Sequence, residues 1–535
     1  MSKHPWWQTT VIYQVYPRSF QDTTGNGIGD LPGITSRLDY LADTLGVGAI
    51  WISPFYPSPM ADFGYDVSDY TDVHPMFGTL SDFDELLDAA HARDLKVIID
   101  WVPNHTSDQH PWFAESRSSR DNPKRDWYMW ADPQPDGSPP NNWLSNFGGG
   151  AWEYDATTGQ YYLHSFLIEQ PDLNWRNPEV QEAMLDTVRF WLDRGVDGFR
   201  IDVAHRIMKD PQLRDNPPAP EGWERRFQDQ GEYDAQLHVN DMGHPDIHEI
   251  FRDFRALLDS YRPERYSIGE IHIADWREWA TYYGEDLDEL HMPFNFSLLH
   301  APWSPTVIGA RVGELEAALP EGGWPNNVFG NHDENRLASR FGNEAARTVA
   351  MLLLTLRGTP TIYYGDELGM IDAVIPYEQQ QDPWGLNVPG LGRDGCRTPM
   401  QWDTTANAGF SPPAAATTWL PLSADWEDRN VARHLAVPDS MLNLYRSLLR
   451  YRKDSMPLQI GTYRQVDAPE GCLAFERAGG QDRLLVLLNF TNNELSVTTD
   501  DRGSVALSTY LDRSGEAVDS TVALRTHEGV IVEIN

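Results

Sequence analysis

The chain is poor in cysteine and in long apolar runs. Its 535 residues contain only two cysteines, Cys396 and Cys472, which excludes a framework of many disulfides. No apolar run approaches the ~18 residues that a membrane-spanning helix needs. The opening MSKHPWWQTT has no basic segment followed by an apolar one, so no signal peptide is expected. Together these absences predict a cytoplasmic protein.

Positive charge is also scarce. Asp and Glu number 80 against 42 Lys and Arg, which gives a net charge of −38, and arginine supplies nearly all of the positive charge. Phosphate backbones and anionic lipids would be repelled, so neither a nucleic acid nor a membrane is an expected partner. A salt-adapted source would explain the acid excess, and a GC-rich genome would explain the preference for arginine. Composition leaves both explanations open.

Short apolar runs alternate with amphipathic stretches along most of the chain. Runs of this length suit strands that are buried on both faces, and eight of them with helices between predict an α/β fold, a (β/α)8 TIM barrel. One connecting helix is expected over 81–94, with Ser81, Asp82 and Glu85 as its cap. The predicted strands cover residues 10–17, 48–56, 96–104, 198–204, 265–271, 290–296, 326–333 and 359–367.

Two long excursions interrupt this rhythm. Residues 105–174, after strand three, are too many for a structureless loop and predict an inserted subdomain. A second excursion covers 206–248, after strand four. After residue 456 the pattern changes to short strands separated by turns, so 457–535 is predicted to be an antiparallel β-sandwich domain. The barrel itself would then comprise 1–104 and 175–456.

Three acidic residues stand just after predicted barrel strands. Asp202, Glu270 and Asp333 follow strands four, five and seven, and barrel enzymes place their sites at these strand ends. Cleaving a glycosidic bond requires a carboxylic acid and a carboxylate. A separation of roughly 5–5.5 Å gives retention and roughly 6.5–9.5 Å gives inversion. The sequence therefore predicts glycoside chemistry and leaves its stereochemistry open.

The context of two of these acids suggests different protonation states. Arg200 lies two residues before Asp202 on the same side of the strand, so it is expected to lower the Asp202 pKa and keep that group ionised. Glu270 follows Gly269 at the end of an apolar strand, a setting that is expected to raise its pKa.

Several sequence blocks carry a resemblance to a known family. The chain resembles the α-amylase superfamily, glycoside hydrolase family 13, and within it the α-glucosidase and oligo-1,6-glucosidase group. FGYDVSDY (63–70) and QPDLNW (170–175) match that group in particular. The shared blocks are VPNHTS (102–107), GFRIDVAH (198–205), IGEIH (268–272), FGNHDENR (329–336) and RTPMQWD (397–403).

The resemblance implies a retaining mechanism. Asp202 would be the nucleophile that forms a β-glucosyl enzyme, Glu270 the acid and then the base, and Asp333 the group that binds sugar hydroxyls in the transition state. Three further residues would bind the sugar or orient the acids, although a core position is the alternative for the two histidines. They are Arg200, His105 and His332.

The resemblance also implies a pocket that is closed around one glucose, and hence exo-action. Tyr65 would stack on the sugar ring, and Asp62 with Arg397 would bind its 4-hydroxyl. The pocket wall would include residues of the inserted subdomain for which core packing is the alternative. These wall residues are Phe147, Phe166 and Gln170.

The segment DTTGNGIGD (22–30) has the oxygen-rich, glycine-rich character of a cation loop. The resemblance implies a structural Ca²⁺ or Mg²⁺ held by Asp22, Asn26, the Ile28 carbonyl and Asp30, and a plain turn is the alternative. No catalytic cofactor is expected, because the chain has no zinc-like cluster and no dinucleotide-binding glycine motif.

The preferred function is an exo-α-glucosidase that acts on small α-glucosides as a monomer or homodimer. By the same resemblance, Val203 would favour α-1,6 links, whereas Glu334 and Asn335 depart from the Gln-Pro that is usual in that group, so the linkage stays open. A glucosyltransferase or sucrose isomerase of the same fold is the first alternative. A silent transporter-associated subunit is the second, disfavoured because all three acids are present.

Overall fold

The computed structural model describes residues 4–220, 230–415 and 417–535. Within them, eight parallel strands form one sheet in the order β7-β8-β1-β2-β3-β4-β5-β6, which curls into a nearly closed barrel. All eight strands that the sequence predicts are confirmed. Their bounds are β1 Ile12–Val15, β2 Ala49–Ile52, β3 Lys96–Trp101, β4 Gly198–Ile201, β5 Tyr266–Gly269, β6 Met292–Pro293, β7 Asn326–Val328 and β8 Thr359–Tyr363.

Helices connect the strands and cover the outside of the barrel, as a parallel sheet that is buried on both faces requires. The connecting helices are α1 Leu31–Ser36, α2 Leu80–His91, α3 Pro178–Arg194, α4 Ile247–Asp259, α5 Trp276–Thr281, α6 Pro305–Ala318, α7 Asn343–Thr355 and α8 Met441–Asp454. Shorter helices are Trp6–Thr9, Pro17–Phe20, a π-helix at Tyr40–Leu45, Pro111–Ser118, Leu337–Phe341, Pro383–Asn387, Val431–Ala436 and Met456–Ile460.

The start of α2 differs from the expectation. The helix begins at Leu80, and its cap is Thr79, whose side chain accepts from the N–H of Asp82 while the Asp82 carboxylate accepts from the Thr79 N–H. This reciprocal pair satisfies two backbone donors that the first turn leaves open. The cap is therefore shifted by two residues from the predicted Ser81.

The excursion after β3 contains its own antiparallel sheet, made of Trp130–Ala131, Trp152–Asp155 and Gln160–Leu163. Backbone bridges from His105 to Asp172 and from Tyr128 to Leu173 join its two ends. A folded insertion is thus present, and its boundaries at 105–174 stay a prediction. Part of the second excursion, 221–229, lies outside the described residues.

Residues after α8 form a six-stranded antiparallel sheet and a two-stranded one. Apolar side chains of both sheets share one core, which includes Leu487, Val522 and Val532, so the predicted β-sandwich is confirmed. The opposite face of the larger sheet packs on the barrel helices. The strands are Thr462–Val466, Cys472–Gly479, Asp482–Asn489, Leu495–Thr498, Gly503–Ser508, Ala517–Val518, Thr521–Leu524 and Gly529–Ile534.

The two cysteines, Cys396 and Cys472, are buried and free. Among the residues described, no helix combines the length and apolar character needed to cross a membrane.

Candidate active site

The three strand-end acids meet in one cavity of about 550 Å³ at the C-terminal end of the barrel. Asp202 directly follows β4 and Glu270 directly follows β5, while Asp333 lies in the loop after β7. Their convergence follows from the parallel sheet, in which every strand points its carboxyl end to the same rim. Six other predicted site residues line this cavity, namely Asp62, Tyr65, His105, Phe147, Phe166 and His332.

Arg200 lies under the cavity and joins three carboxylates. Its Nη1 donates to Asp202 Oδ1 at 2.6 Å and to Asp100 Oδ1 at 2.8 Å, and its Nη2 donates to Glu270 Oε2 at 2.5 Å. The register of β3 against β4 places Asp100 directly beside Arg200. Arg200 is only 2% exposed. One buried guanidinium therefore fixes the position of both proposed reacting groups.

The protonation states differ from those expected. Burial raises the pKa of Asp202 well above its ordinary value, and Arg200 offsets this only in part. Burial also acts to raise the Glu270 pKa, but Arg200, His272 and the Val203 N–H outweigh it and hold that pKa well below the usual range. The expectation failed because Arg200 reaches across to the neighbouring strand and serves both acids. In the ligand-free site, Glu270 is the better-stabilised carboxylate.

Two donors besides Arg200 hold Glu270. His272 Nε2 lies 2.7 Å from Glu270 Oε1, and the Val203 N–H donates to Oε2 at 3.0 Å. Val203 adopts a left-handed conformation with φ of 35°. That conformation is costly for a β-branched residue, and such strain is typical of functional sites. It turns the backbone N–H towards the proposed acid.

Asp333 is surrounded by positive and polar groups. Arg397 Nη2 and Arg393 Nη1 donate to its Oδ1 at 2.9 and 3.0 Å, and His332 Nε2 lies 3.3 Å from Oδ2. Burial opposes ionisation, but these neighbours hold the Asp333 pKa far below its ordinary value. Asp333 is therefore an anion at every working pH, as a group that binds sugar hydroxyls should be.

One end of the cavity is closed by an ion pair between Asp62 and Arg393. Arg393 Nη2 donates to Asp62 Oδ1 at 3.0 Å and to Asp382 at 2.7 Å, and its guanidinium lies over the rings of Phe147 and Trp384. Burial raises the pKa of Asp62 to about 6 even though Arg393 lowers it. Asp62 thus contacts Arg393, and its predicted role with Arg397 in binding the sugar 4-hydroxyl stays a prediction.

The remaining predicted residues support this wall. Gln170 Nε2 lies 3.2 Å from Asp62 Oδ2 and 3.1 Å from His105 Nε2, and it is fully buried behind the cavity surface. The Tyr65 hydroxyl lies 2.8 Å from His332 Nε2. Burial lowers the pKa of His105 to about 4 and that of His332 to about 3, so both rings are neutral near pH 7.

The predicted cation loop is a densely hydrogen-bonded turn. Both Asp22 oxygens accept backbone N–H groups of the same loop, and Oδ2 also accepts the Ser411 hydroxyl at 2.7 Å. Asp30 caps α1, and the Asn26 side chain accepts from the Ile28 N–H. These side-chain oxygens serve as acceptors within the loop. The structural cation stays a prediction, because the carboxylate oxygens keep further acceptor capacity beside these bonds.

Three residues of the site were not singled out by any sequence pattern. Asp100 pairs with Arg200, His272 contacts Glu270, and Arg393 closes the cavity. Asp100 lies on strand β3, and His272 lies in the block 268–272, just after strand β5. Their position on a barrel strand or just after one was the signal that could have identified them. Arg393 lies in an irregular loop, where periodicity gives no guide.

Comparison with known proteins gives a consistent result. Residues 14–461 match the model of the alpha amylase catalytic domain. A probable alpha-glucosidase of Rhizobium meliloti is 48% identical over 91% of this chain and 90% of its own length. An oligo-1,6-glucosidase of Heyndrickxia coagulans is 41% identical over 95% and 96%. The crystal structure of an alpha-glucosyl transfer enzyme, XgtA, superposes with a TM-score of 0.93 at 44% identity, covering 100% of both chains.

Proposed function

Because the chain belongs to the α-amylase family and is a glycoside hydrolase, we propose that it is a retaining, exo-acting α-glucosidase. It would release glucose from the non-reducing end of short α-glucosides. The observation that carries the proposal is the attachment of Asp202 and Glu270 to the two terminal nitrogens of a single guanidinium. This places two carboxyl groups side by side at the base of a sugar-sized cavity.

The chemistry follows from that placement. The Asp202 carboxylate attacks the anomeric carbon while Glu270 gives its proton to the departing glycosidic oxygen, so one C–O bond forms as the other breaks. Water then enters, Glu270 takes its proton, and the water oxygen displaces Asp202 from the glucosyl ester. Asp333 remains ionised and holds hydroxyls of the distorted sugar throughout.

The substrate must alter the protonation pattern of the free site. In that site burial raises the Asp202 pKa and the donors around Glu270 lower its pKa. The reaction needs the reverse, a proton on Glu270 and a charge on Asp202. A sugar that displaces the water around Glu270 and donates hydroxyl hydrogens to Asp202 moves both pKa values in the required direction.

Exo-action is supported by the closed end of the cavity. The Asp62–Arg393 pair, backed by Asp382 and flanked by Phe147 and Trp384, would block a second sugar beyond the non-reducing glucose. The charged pair offers hydrogen-bond partners to the hydroxyls of one terminal ring, and the aromatic rings offer apolar faces to its C–H groups.

Glucosyl transfer is a second candidate. It is favoured by the likeness to an alpha-glucosyl transfer enzyme. It is also favoured by apolar residues in the outer cavity wall, which would hold a sugar acceptor against competing water. These residues are Leu237, Val239, Met242 and Ile273.

One set of measurements tests both candidates. The chain is incubated with maltose, isomaltose, sucrose, kojibiose and trehalose, and the products are followed by proton NMR. Initial release of α-glucose supports retention, and β-glucose as the first product contradicts it. New disaccharides in excess of free glucose would favour the transfer reaction. Asp202→Ala should abolish turnover of every substrate.

A further inference from the structure

The carboxyl group of Glu334 lines the cavity and has no role in the steps above. Glu334 follows Asp333 in the loop after β7, and its side chain is 14% exposed. Its nearest ion-pair partner is His300, whose Nε2 lies 3.7 Å from Oε1. That separation is too long for a hydrogen bond. Within the described residues, Glu334 is thus a largely buried acid without a close donor.

The groups that face Glu334 do not compensate its charge. Arg340, from the helix Leu337–Phe341, donates to the carbonyls of Phe329 and Leu299, and Asp333 adds a like charge from the same loop. Burial is the main reason that the Glu334 pKa is raised, to about 8. Burial likewise lowers the His300 pKa to about 3, with His272 contributing. Near neutral pH, a protonated carboxyl therefore stands beside a neutral imidazole.

Glu334 lies on the acid/base side of the cavity. His272 contacts Glu270 at 2.7 Å and is close enough to His300 to lower its pKa, and His300 adjoins Glu334. This row of side chains starts at Glu270, which would protonate the leaving oxygen. It therefore borders the leaving group of a bound glucoside. The closed end, at Asp62, is formed by other residues.

We propose that Glu334 is a specificity-determining residue that, as a neutral acid, donates a hydrogen bond to a hydroxyl of an uncharged leaving sugar. This inference rests on the proposed α-glucosidase function and names its substrate class. Substrates carry a neutral, hydroxylated leaving group, and those with an anionic leaving group are refused.

The surrounding wall strengthens the discrimination. Among the described residues, Asp234, Asp275 and Glu278 also line this cavity, together with the basic residues Arg206 and Arg393. A phosphate on the leaving sugar would meet more acidic than basic side chains and be repelled. A neutral sugar meets no such barrier and can accept the proton of Glu334.

The test compares two substrates across pH. Maltose has a sugar leaving group, whereas methyl α-glucoside releases methanol, which has no second hydroxyl, and both alcohol leaving groups need the same Asp202 and Glu270. The ratio of their kcat/KM values therefore cancels the titration of those acids. In the wild type, this ratio should fall roughly fivefold or more from about pH 6 to about pH 9, as Glu334 loses its donor proton.

Glu334→Gln provides the decisive variant, because an amide donates as the neutral acid does and cannot ionise. Its ratio should stay constant over the same pH range. Glu249→Gln is the control, since it removes an exposed carboxyl of α4 and should leave the wild-type fall in place. A flat wild-type ratio, or a fall that persists in Glu334→Gln or vanishes in Glu249→Gln, would overturn the proposal.

Trehalose 6-phosphate tests whether a substrate with an anionic leaving group is refused. We expect its kcat/KM to lie at least roughly a hundredfold below that of trehalose. Equal rates on the two would contradict the proposed substrate class. Failure of the glucosidase function itself would look different, because p-nitrophenyl α-glucoside would then not be hydrolysed at any pH.

Discussion

Arg200 on strand β4 donates through Nη2 to Glu270, which follows the next strand, at 2.5 Å. The contact joins two neighbouring strand ends and is fully buried. Because the same guanidinium also holds Asp202, any movement of one acid is transmitted to the other. The two proposed reacting groups therefore behave as one coupled unit, and their titrations belong to the pair.

Replacing Arg200 should be severe. Arg200→Lys keeps one charge but cannot donate to three carboxylates in a fixed plane. We expect kcat/KM to fall at least about a hundredfold and the free energy of unfolding to drop by about 3 kcal/mol. The acidic limb of the pH profile should move to higher pH as the carboxyl pKa values rise. Arg189→Lys, on the exposed face of α3, is the control and should change neither quantity. A wild-type pH profile in Arg200→Lys would contradict the coupling.

His272 should tune the proposed acid. Its Nε2 lies 2.7 Å from Glu270 Oε1 and helps to lower the Glu270 pKa. His272→Ala should raise that pKa, so the alkaline limb of the pH profile moves to higher pH while kcat falls about tenfold. His272→Gln, which retains a donor, should restore part of both. If kcat falls and the alkaline limb stays in place, His272 acts only in packing.

The ionised Asp62 side chain should lower the free energy of unfolding at neutral pH. Burial raises its folded pKa to about 6, above the ordinary value, so the folded chain binds this proton more tightly than the unfolded chain. Stability therefore falls as pH rises between the two values, and the loss is complete above about pH 6. Asp62→Asn should raise the free energy of unfolding by about 1–2 kcal/mol at pH 7 and leave it unchanged near pH 4. Urea unfolding at both pH values measures this. A lower stability at pH 7 would mean that the Arg393 pair outweighs burial.

Removal of metal ions should have little effect. The Asp22 oxygens already accept the loop N–H groups and the Ser411 hydroxyl. Treatment with EDTA should therefore leave the midpoint of thermal unfolding unchanged, and added Ca²⁺ or Mg²⁺ should not raise it. A midpoint that rises with calcium concentration would show binding to the folded state and would confirm the predicted cation site.

Val203 should influence the choice of linkage. It packs with Phe147, Phe166 and Trp384 and also presents its N–H to Glu270. Val203→Ala keeps the N–H and removes two methyl groups, so we expect the ratio of isomaltose to maltose hydrolysis to fall roughly tenfold. The rate on p-nitrophenyl α-glucoside should change much less. An unchanged ratio would place linkage selection elsewhere in the cavity wall.

Much of the fold could be predicted because its signals are local. A buried parallel strand needs a continuous apolar run, and each of the eight runs was visible along the chain. The N-cap of α2 could not be chosen from the sequence alone, because serine and threonine both favour that position. The structure begins the helix at Leu80, which makes Thr79 rather than Ser81 the cap. The edge strands of the C-terminal sandwich, such as Ala517–Val518, are too short to give a periodic signal.

The residues that make up the site could be predicted more readily than their protonation states. Convergence of Asp202, Glu270 and Asp333 follows from the barrel topology alone. Protonation depends on side chains brought from other strands, which the local sequence does not reveal. Arg200 was expected to contact only an acid of its own strand, and it donates to carboxylates from three neighbouring strands. Arg393, which contacts both Asp62 and Asp333, was likewise not identified, because no periodic pattern marks the segment that carries it.

The larger C-terminal sheet has an unusual consequence for biosynthesis. Its strand Gly529–Ile534 lies between Asp482–Asn489 and Gly503–Ser508, so the strand of this sheet that comes latest in the sequence occupies an interior position. A chain stopped before residue 529 would leave two strands with open edges next to the barrel helices. Open edges recruit other chains. Translation that ends early would thus yield an aggregation-prone product that cellular quality control can recognise, although every residue of the catalytic cavity had already been made.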